Sequence, residues 1–293
     1  MRSREKAHRS LDNTLFDIVI YVVLIVTAVI TIVPFLQVVT ISLSPPEVVA
    51  SYGMHLFPTK IDLEGYKSIL KYDTLWSSYR NTIVKTASGT VLNMVLYVIG
   101  AYPLSKKYLP NRKFWTFFII FTMYFSGGMI PSYLLINNWL KLSNTIWCLI
   151  LPPAMSAYNL IIVRNFFETI PDSLEESAKI DGASDMTILF KIVVPLSKPV
   201  LATVALWCIV GHWNAWYDCM LYIRDDVKYV LQYTLQRILI EGQVEDINQI
   251  GVKVNTDTMK MASIVVSIIP ILIIYPFIQK YFTKGVLIGA VKG

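Results

Sequence analysis

The sequence predicts an all-α integral membrane protein with six transmembrane helices. Of its 293 residues, 55% are hydrophobic and 16% are charged, whereas about 25% of an ordinary soluble domain is charged. The apolar residues form six long blocks, each able to cross a hydrocarbon layer of about 30 Å as a helix. The blocks do not alternate apolar and polar side chains, as the strands of a membrane barrel do. The composition therefore excludes a water-soluble globule and a disordered chain.

The six apolar blocks are separated by polar segments of unequal length. The blocks cover residues 15–43, 81–104, 114–136, 145–166, 192–213 and 261–282. The first block is too long for a signal peptide and ends without a clear cleavage site, so we expect it to be retained. Segments 44–79 and 217–260 are long, and each contains a short pattern that predicts a surface helix.

The distribution of Lys and Arg indicates the orientation in the membrane. Fifteen of them lie in the two termini and in or beside the connections after the second and fourth blocks, and ten are spread over the other, longer segments. Basic residues concentrate in cytoplasmic loops, so both termini are expected in the cytoplasm. This bias accounts for the net charge of +6, and we predict no nucleic-acid partner.

Motifs for catalysis, metal binding and nucleotide binding are missing from the sequence. The three cysteines and three histidines are scattered, without the spacing of a disulfide framework or a metal site. There is no zinc-protease motif, no nucleophile elbow and no phosphate-binding loop. The chain is therefore predicted not to be an enzyme, to hold no metal or cofactor and not to bind ATP itself.

The connection between the fourth and fifth blocks contains a segment that we call loop 172–195. Pro171 and Asp172 predict the start of a helix, with Asp172 as its cap and Glu175 at the capping-box position. Gly182 predicts the end of that helix, because glycine supplies the left-handed turn that terminates helices.

A second short helix is predicted in the same loop, capped by Ser184 or Asp185. Pro195 and Pro199 should then bend or punctuate the start of the fifth span. Both short helices combine apolar and acidic residues, whereas helices that lie on lipid favour Lys and Arg on the polar face. Acids near an anionic leaflet are unfavourable, so a protein partner fits this loop better than the lipid surface.

Loop 172–195 also resembles a motif of a known family, the permease subunits of binding-protein-dependent ABC importers. Their "EAA" loop reads E-A-A, three residues, G, nine residues, I, one residue, L-P. The corresponding residues of this chain are Glu176, Ser177, Ala178, Gly182, Ile192, Val194 and Pro195. Ser177 and Val194 are mild departures from Ala and Leu. The ending IQKYFTKGVLIGAVKG and the segment 80–102 are similar to the maltose-G-like carbohydrate branch, and YFSGGMIPSYLL resembles the subgroup for complex oligosaccharides.

The resemblance implies a type I ABC importer (MetI-like) permease fold in a bacterial cell (inner) membrane. The implied partners are a second homologous permease subunit, a cytoplasmic ABC ATPase dimer, an extracytoplasmic solute-binding protein, a carbohydrate substrate and membrane lipid. ATP and Mg would be bound by the ATPase. The chain would divide into residues 1–79 (N-terminus, first helix and outer loop), the permease core 80–283 and a cytoplasmic tail 284–293.

The resemblance also assigns residues to the contact with the ATPase. Those in loop 172–195, the coupling helix of the family, are Glu176, Ala178, Asp181, Gly182 and Pro195. Those of the C-terminal tail are Gly289, Lys292 and Gly293.

The sugar path is expected where aromatic faces and hydrogen-bonding side chains coincide near the outer ends of the third and fifth spans. The candidates are Tyr124, Trp213, Asn214, Trp216 and Tyr217. Aromatic residues at these positions are equally typical of the belt at a membrane interface, so both interpretations stay open. Lys85, inside the second span, is either functional or extends to the outer interface.

A secondary transporter or a channel, not coupled to an ATPase, is the alternative. Such a protein would use charges or helix breaks near the middle of the membrane. Charges within the six blocks are almost absent, which removes an obvious ion relay, and the acidic loop favours the permease.

Overall fold

The computed structural model describes residues 11–49, 53, 56–241 and 256–290, and every regular element in these ranges is helical. In chain order, the α-helices are α1 Leu11–Ser42, α2 Pro46–Val49, α3 Glu64–Leu70, α4 Asp73–Ser105, α5 Arg112–Tyr124, α6 Met129–Leu134, α7 Trp147–Ile150, α8 Ala157–Phe167, α9 Asp172–Ile180, α10 Asp185–Ile188, α11 Val194–Leu196, α12 Lys198–Asn214, α13 Tyr217–Tyr222, α14 Leu231–Gln236 and α15 Thr256–Ala290. Turns of π-helix extend α6, α10 and α14, at Leu135–Trp139, Leu189–Val193 and Arg237–Glu241.

The chain forms two compact units. The first contains the chain up to Lys71 and the start of α15 as far as Val266. Its helix α1 is strongly apolar, with a mean hydropathy of 2.9 over the best window and none of that window buried. In this unit, the Ser42 and Tyr66 hydroxyls are 2.7 Å apart. The surface helix predicted in segment 44–79 is confirmed as α3.

The second unit contains Tyr72–Glu241 and the rest of α15, and α4 is its central helix. Helix α4 packs against α8 and α12 around buried side chains that include Tyr97, Ala101, Val163 and Val204. It begins at Asp73, within the segment 44–79 that the sequence predicts to lie outside the membrane.

Three of the predicted spans are bent. The angle is 105° between Arg112–Tyr124 and Met129–Trp139, 49° between Trp147–Ala154 and Ala157–Phe167, and 82° between Asp185–Leu196 and Lys198–Asn214. The first bend lies at Gly128, whose φ of +86° is a conformation that favours glycine. At the second, Pro152 and Pro153 lack the N–H that a continuous helix needs, and Pro195 and Pro199 flank the third.

The number of spans follows from how the bent pairs are counted. By length and composition, two of the described helices can each cross a membrane. If each bent pair is counted as one span, the described residues contain up to five spans. The sixth apolar block lies within α15, which has 35 residues. The total of six therefore stays a prediction.

The amphipathic pattern of segment 217–260 is confirmed as α14 and the π-turn that follows it. This element packs against α4 instead of lying on a free surface. The Ser78 and Thr234 hydroxyls are 2.7 Å apart, and the Leu231 N–H donates to Thr82 Oγ1 at 2.8 Å. These contacts hold the segment beside the Asp73 end of α4.

Candidate functional site

Helix α9 of loop 172–195 starts at Asp172, as predicted, but the predicted capping is wrong. Pro171 occupies the N-cap position, and no side chain caps the helix. The carboxylates bind lysines at the end of α4 instead. Asp172 Oδ2 lies 3.1 Å from Lys107 Nζ, and Glu175 forms a buried ion pair with Lys106.

The end of α9 is confirmed where the sequence placed it. The helix ends at Ile180, and Gly182 follows in the left-handed conformation, with a φ of +80°. The Gly182 N–H donates to the Lys179 carbonyl at 3.0 Å, and the Ala183 N–H to the Ala178 carbonyl at 2.9 Å. This pair of bonds is the Schellman motif.

Helix α10 then starts with a side-chain cap. Of the two predicted candidates, Ser184 provides the cap, because its hydroxyl accepts from the Thr187 N–H at 3.3 Å. Pro195 lies in α11, just before the 82° bend. Loop 172–195 is therefore a bent pair of short helices, as the sequence predicts.

One face of loop 172–195 is open. Glu176 and Asp181 are exposed, and Ile180 is 87% exposed, although it is a large apolar side chain. Leu174 and Met186 are exposed as well. The loop therefore exposes several apolar side chains together with two carboxylates.

The opposite face of α9 is held against the end of α4. Lys106 and Glu175 have side chains that are 9% and 10% exposed, and the Lys106 ammonium lies 4.5 Å from the centre of the Tyr102 ring. Ala178 packs against the adjacent hydrophobic core. In the sequence, Lys106 is only one of the basic residues that indicate orientation. No local pattern pairs it with Glu175, because the two residues are 69 positions apart.

A second contact connects α9 with α10 and the chain after α4. The Lys179 ammonium lies 4.9 Å from the centre of the Tyr108 ring and 3.6 Å from Asp185 Oδ1. Partial loss of hydration disfavours its charge, but Tyr108 and Asp185 together raise the pKa of Lys179 above its ordinary value. Contacts within the loop therefore hold its two helices together, in addition to the contacts with α4.

An arginine cluster lies beside this site. Arg112 and Arg164 both form ion pairs with Glu168, and their Nε atoms donate to the Leu104 carbonyl at 2.9 and 3.3 Å. The ends of α4 and α8 and the start of α5 are thereby tied together.

Of the predicted tail contacts, Gly289 is the penultimate residue of α15. Lys292 and Gly293 lie outside the described residues.

The predicted sugar-path residues lie in different surroundings. A cavity of about 310 Å³ between the α5–α6 bend and α13 is lined by Tyr217, together with Ser132 and Asp218. The Tyr217 hydroxyl donates to Met129 Sδ at 2.9 Å, and its ring meets Trp216 edge to face, with centroids 5.9 Å apart.

The other four candidates, Trp216 included, do not line this cavity. Trp213 is 4% exposed and packs against Tyr79, with ring centroids 6.5 Å apart. Its ring is therefore buried in this structure, and its part in a sugar path stays a prediction. Asn214 ends α12, and Tyr124, at the end of α5, is 79% exposed.

Buried polar contacts join α4 to two of the helix breaks. Lys85 is buried and its Nζ donates to the Ala215 carbonyl at 3.0 Å, so its ammonium has a partner inside the protein. His212 Nε2 donates to Asn93 Oδ1 at 2.7 Å. Asn93 Nδ2 donates to the Ala154 carbonyl at 2.7 Å.

Metal-binding clusters of three or more His, Cys, Asp or Glu residues are not found among the described residues. The three cysteines are buried and free.

Comparison with known proteins identifies relatives over almost the full length. The model of the family "Binding-protein-dependent transport system inner membrane component" matches residues 7–288. The polygalacturonan/rhamnogalacturonan transport system permease protein YtcP of Bacillus subtilis (strain 168) is 44% identical over 287 residues, which are 97% of this chain and 100% of the relative. Protein LplC of the same organism is 40% identical and covers 98% of both chains.

A solved structure is similar as well. It is the crystal structure of a bacterial ABC transporter involved in the import of the acidic polysaccharide alginate, and one of its chains is 36% identical with a TM-score of 0.87. The match covers 93% of this chain and 98% of that one. These matches confirm the all-helical MetI-like permease fold and exclude the alternative of a secondary transporter or channel. The chain therefore belongs to the family of inner membrane components of binding-protein-dependent transport systems, and it is a permease subunit of an ABC importer.

Proposed function

We propose that this chain and a second, homologous permease form a pathway that imports an oligosaccharide into the bacterial cytoplasm. An extracytoplasmic solute-binding protein supplies the sugar, and a cytoplasmic ATPase dimer provides the energy. The proposal is supported by YtcP, named for polygalacturonan and rhamnogalacturonan transport, and by the alginate importer. The ATPase binds ATP and Mg, and this chain binds neither.

In this proposal, loop 172–195 is the coupling helix that docks into the ATPase. The observation that carries it is the open face of the loop, where Ile180 is exposed between Glu176 and Asp181. The two carboxylates can accept charge-assisted hydrogen bonds, and Ile180 loses contact with water on docking. Gly182 allows close approach of the ATPase, Ala178 lets α9 pack closely on its own core, and Pro195 ends the loop at the bend.

We further propose six spans with both termini in the cytoplasm, following the distribution of Lys and Arg. Residues 80–283 form the permease core, after an N-terminal segment 1–79. The tail 284–293, with Gly289, Lys292 and Gly293, provides a second contact with the ATPase. Closure of the ATPase moves the coupling helix and switches the spans between inward-facing and outward-facing states.

The sugar path passes the cavity lined by Tyr217. The rings of Trp216 and Tyr217 meet edge to face and provide an aromatic surface. The exposed Tyr124 and Asn214 add further aromatic and polar surface. Trp213 supports this surface from beneath. Aromatic faces together with a few polar groups are typical of small-molecule sites.

The test is purification of the tagged chain from its native membranes in mild detergent. We expect a second permease and an ATPase to be recovered with it, and ATP hydrolysis to rise when the sugar-loaded binding protein is added. Purification of the chain alone, under conditions that keep another ABC importer intact, contradicts the proposal.

A matched pair of variants locates the docking surface. Ile180→Asp is expected to lower recovery of the ATPase about tenfold, because it places a charge in an apolar contact. Val227→Asp changes another exposed apolar residue, in segment 217–260, and should leave recovery unchanged. Equal recovery with both variants contradicts docking through α9.

A further inference from the structure

Two adjacent acids of α9 have opposite environments. Glu176 is exposed, whereas Glu175 is buried. Successive positions of a helix point about 100° apart, so α9 presents one carboxylate outward and turns the other toward its own membrane domain. The outward carboxylate belongs to the proposed docking face. The inward one has no part in docking.

The partner of Glu175 is Lys106, the residue that follows the last turn of α4. Both side chains are about nine-tenths buried. The Lys106 ammonium also lies over the Tyr102 ring, at 4.5 Å from its centre. A buried ion pair holds its geometry because the removal of either partner leaves an uncompensated charge.

A neighbouring ion pair connects the same two elements but is open to water. Lys107 and Asp172 lie 3.1 Å apart, with side chains 84% and 68% exposed. Exposed pairs of this kind contribute little, because water and salt screen them. Of the two pairs, only the buried one can fix the position of α9 relative to α4.

Helix α4 extends this connection to contacts in its own middle. Lys85 binds the Ala215 carbonyl at the break between α12 and α13. Asn93 binds the Ala154 carbonyl at the break before α8. A displacement of α4 therefore reaches both breaks through buried contacts.

We propose that the Lys106–Glu175 ion pair is the link through which movement of α9 is transmitted to α4 and to the helix breaks. Both residues are positioning residues, since neither contacts sugar or ATP. The role rests on the proposed docking of loop 172–195 to an ATPase. The pair makes α9 and α4 move as one body, so that ATP hydrolysis and sugar transport stay coupled.

The test uses the complete importer in proteoliposomes, with the number of sugars transported per ATP hydrolysed as the readout. Glu175→Gln is expected to lower this ratio about tenfold, within the usual range of coupling between sites, while hydrolysis continues. Asp172→Asn, the matched change in the exposed pair, should alter the ratio less than twofold. An unchanged ratio in Glu175→Gln overturns the proposal.

Two double variants separate coupling from folding. The exchange Lys106→Glu with Glu175→Lys should restore most of the ratio lost in the single variants. The apolar pair Lys106→Met with Glu175→Leu should assemble normally, because apolar pairs replace buried ion pairs without loss of stability, but should stay uncoupled. If the exchange restores neither assembly nor coupling, or if the apolar pair restores both, the proposal is wrong.

The wild-type importer, measured in parallel, distinguishes the two levels of the proposal. If its ATP hydrolysis does not respond to the loaded binding protein, the proposed function fails, and the coupling role fails with it. If the wild type responds and Glu175→Gln transports equally well per ATP, only the role of the ion pair fails.

Discussion

The Ser105 end and the middle of α4 are held by different chemistry. At the Ser105 end, Lys106 and Lys107 form ion pairs with acids of α9. In the middle of the helix, Lys85 and Asn93 bind backbone carbonyls beside helix breaks. The first arrangement joins two separate elements by charge. The second supplies hydrogen bonds to carbonyls that a broken helix leaves free. The end of α4 is therefore held to α9 by charge, and its middle is held to the neighbouring helices by hydrogen bonds.

The largest effect is expected in loop 172–195, which packs against the Ser105 end of α4. Gly182→Asp should abolish sugar uptake without preventing membrane insertion, since it places a new charge on the proposed docking face. A Cβ at Gly182 meets no atom within 4 Å, so steric clash is not the reason. Uptake assays and membrane fractionation measure the two properties.

Gly182→Asn is the control for this change, because it has the same shape without the charge. Asn and Asp both enter the left-handed conformation more readily than other side chains. Asn should therefore keep most of the uptake. Equal loss with both residues would assign the effect to the backbone turn and not to docking.

The next effect tests the packing of the middle of α4. Gly89→Ala should lower the free energy of unfolding in detergent by about 1–3 kcal/mol through overpacking, because its Cβ would lie 2.6 Å from the His212 ring. Gly211→Ala in α12 meets no atom within 4 Å and should be neutral. Thermal unfolding of both variants measures the difference in stability. Equal midpoints would contradict tight packing between α4 and α12 at this position.

A similar effect is expected from the contacts at the helix breaks. Asn93→Ala removes a donor from the Ala154 carbonyl and leaves the His212 ring without its acceptor. Each buried group left unsatisfied costs about 1–3 kcal/mol. Asn138→Ala, an exposed amide, is the control. If the two variants unfold at the same temperature, the stabilising role assigned to the hydrogen bonds of Asn93 is wrong.

The smallest effect concerns an exposed ion pair far from α9. Hydrogen bonds from Lys228 and Asn144 lower the pKa of Asp225 below its ordinary value. A carboxyl whose pKa is lowered by folding stabilises the folded state at pH values above its ordinary pKa. This stabilisation is lost as the pH falls through the lowered pKa of the folded state. The protection of amides around Asn144 from hydrogen exchange, corrected for the intrinsic pH dependence of the exchange rate, should therefore fall slightly in acid. Asp225→Asn should remove that dependence, and an equal response to acid in this variant would contradict the assignment.

Local patterns in the sequence predict several features correctly. Gly182 ends α9 because a left-handed turn depends on a single residue, and the amphipathic patterns that predict α3 and α14 are equally local. The bends at Gly128 and Pro152 involve residue types that break helices. The sequence-based prediction nevertheless placed continuous, straight spans over both positions. The burial of Trp213 and Lys85 was not predictable, because it depends on neighbours distant in the chain.

The sequence by itself determined the membrane class, the short helices of loop 172–195 and the family, because hydropathy, helix termination and motif spacing are properties of consecutive residues. Only the tertiary structure decided which of the adjacent acids faces inward. The Lys106–Glu175 pair joins positions 69 residues apart, and its geometry exists only when α4 and α9 pack together. Burial then makes that contact strong, because water no longer screens the charges.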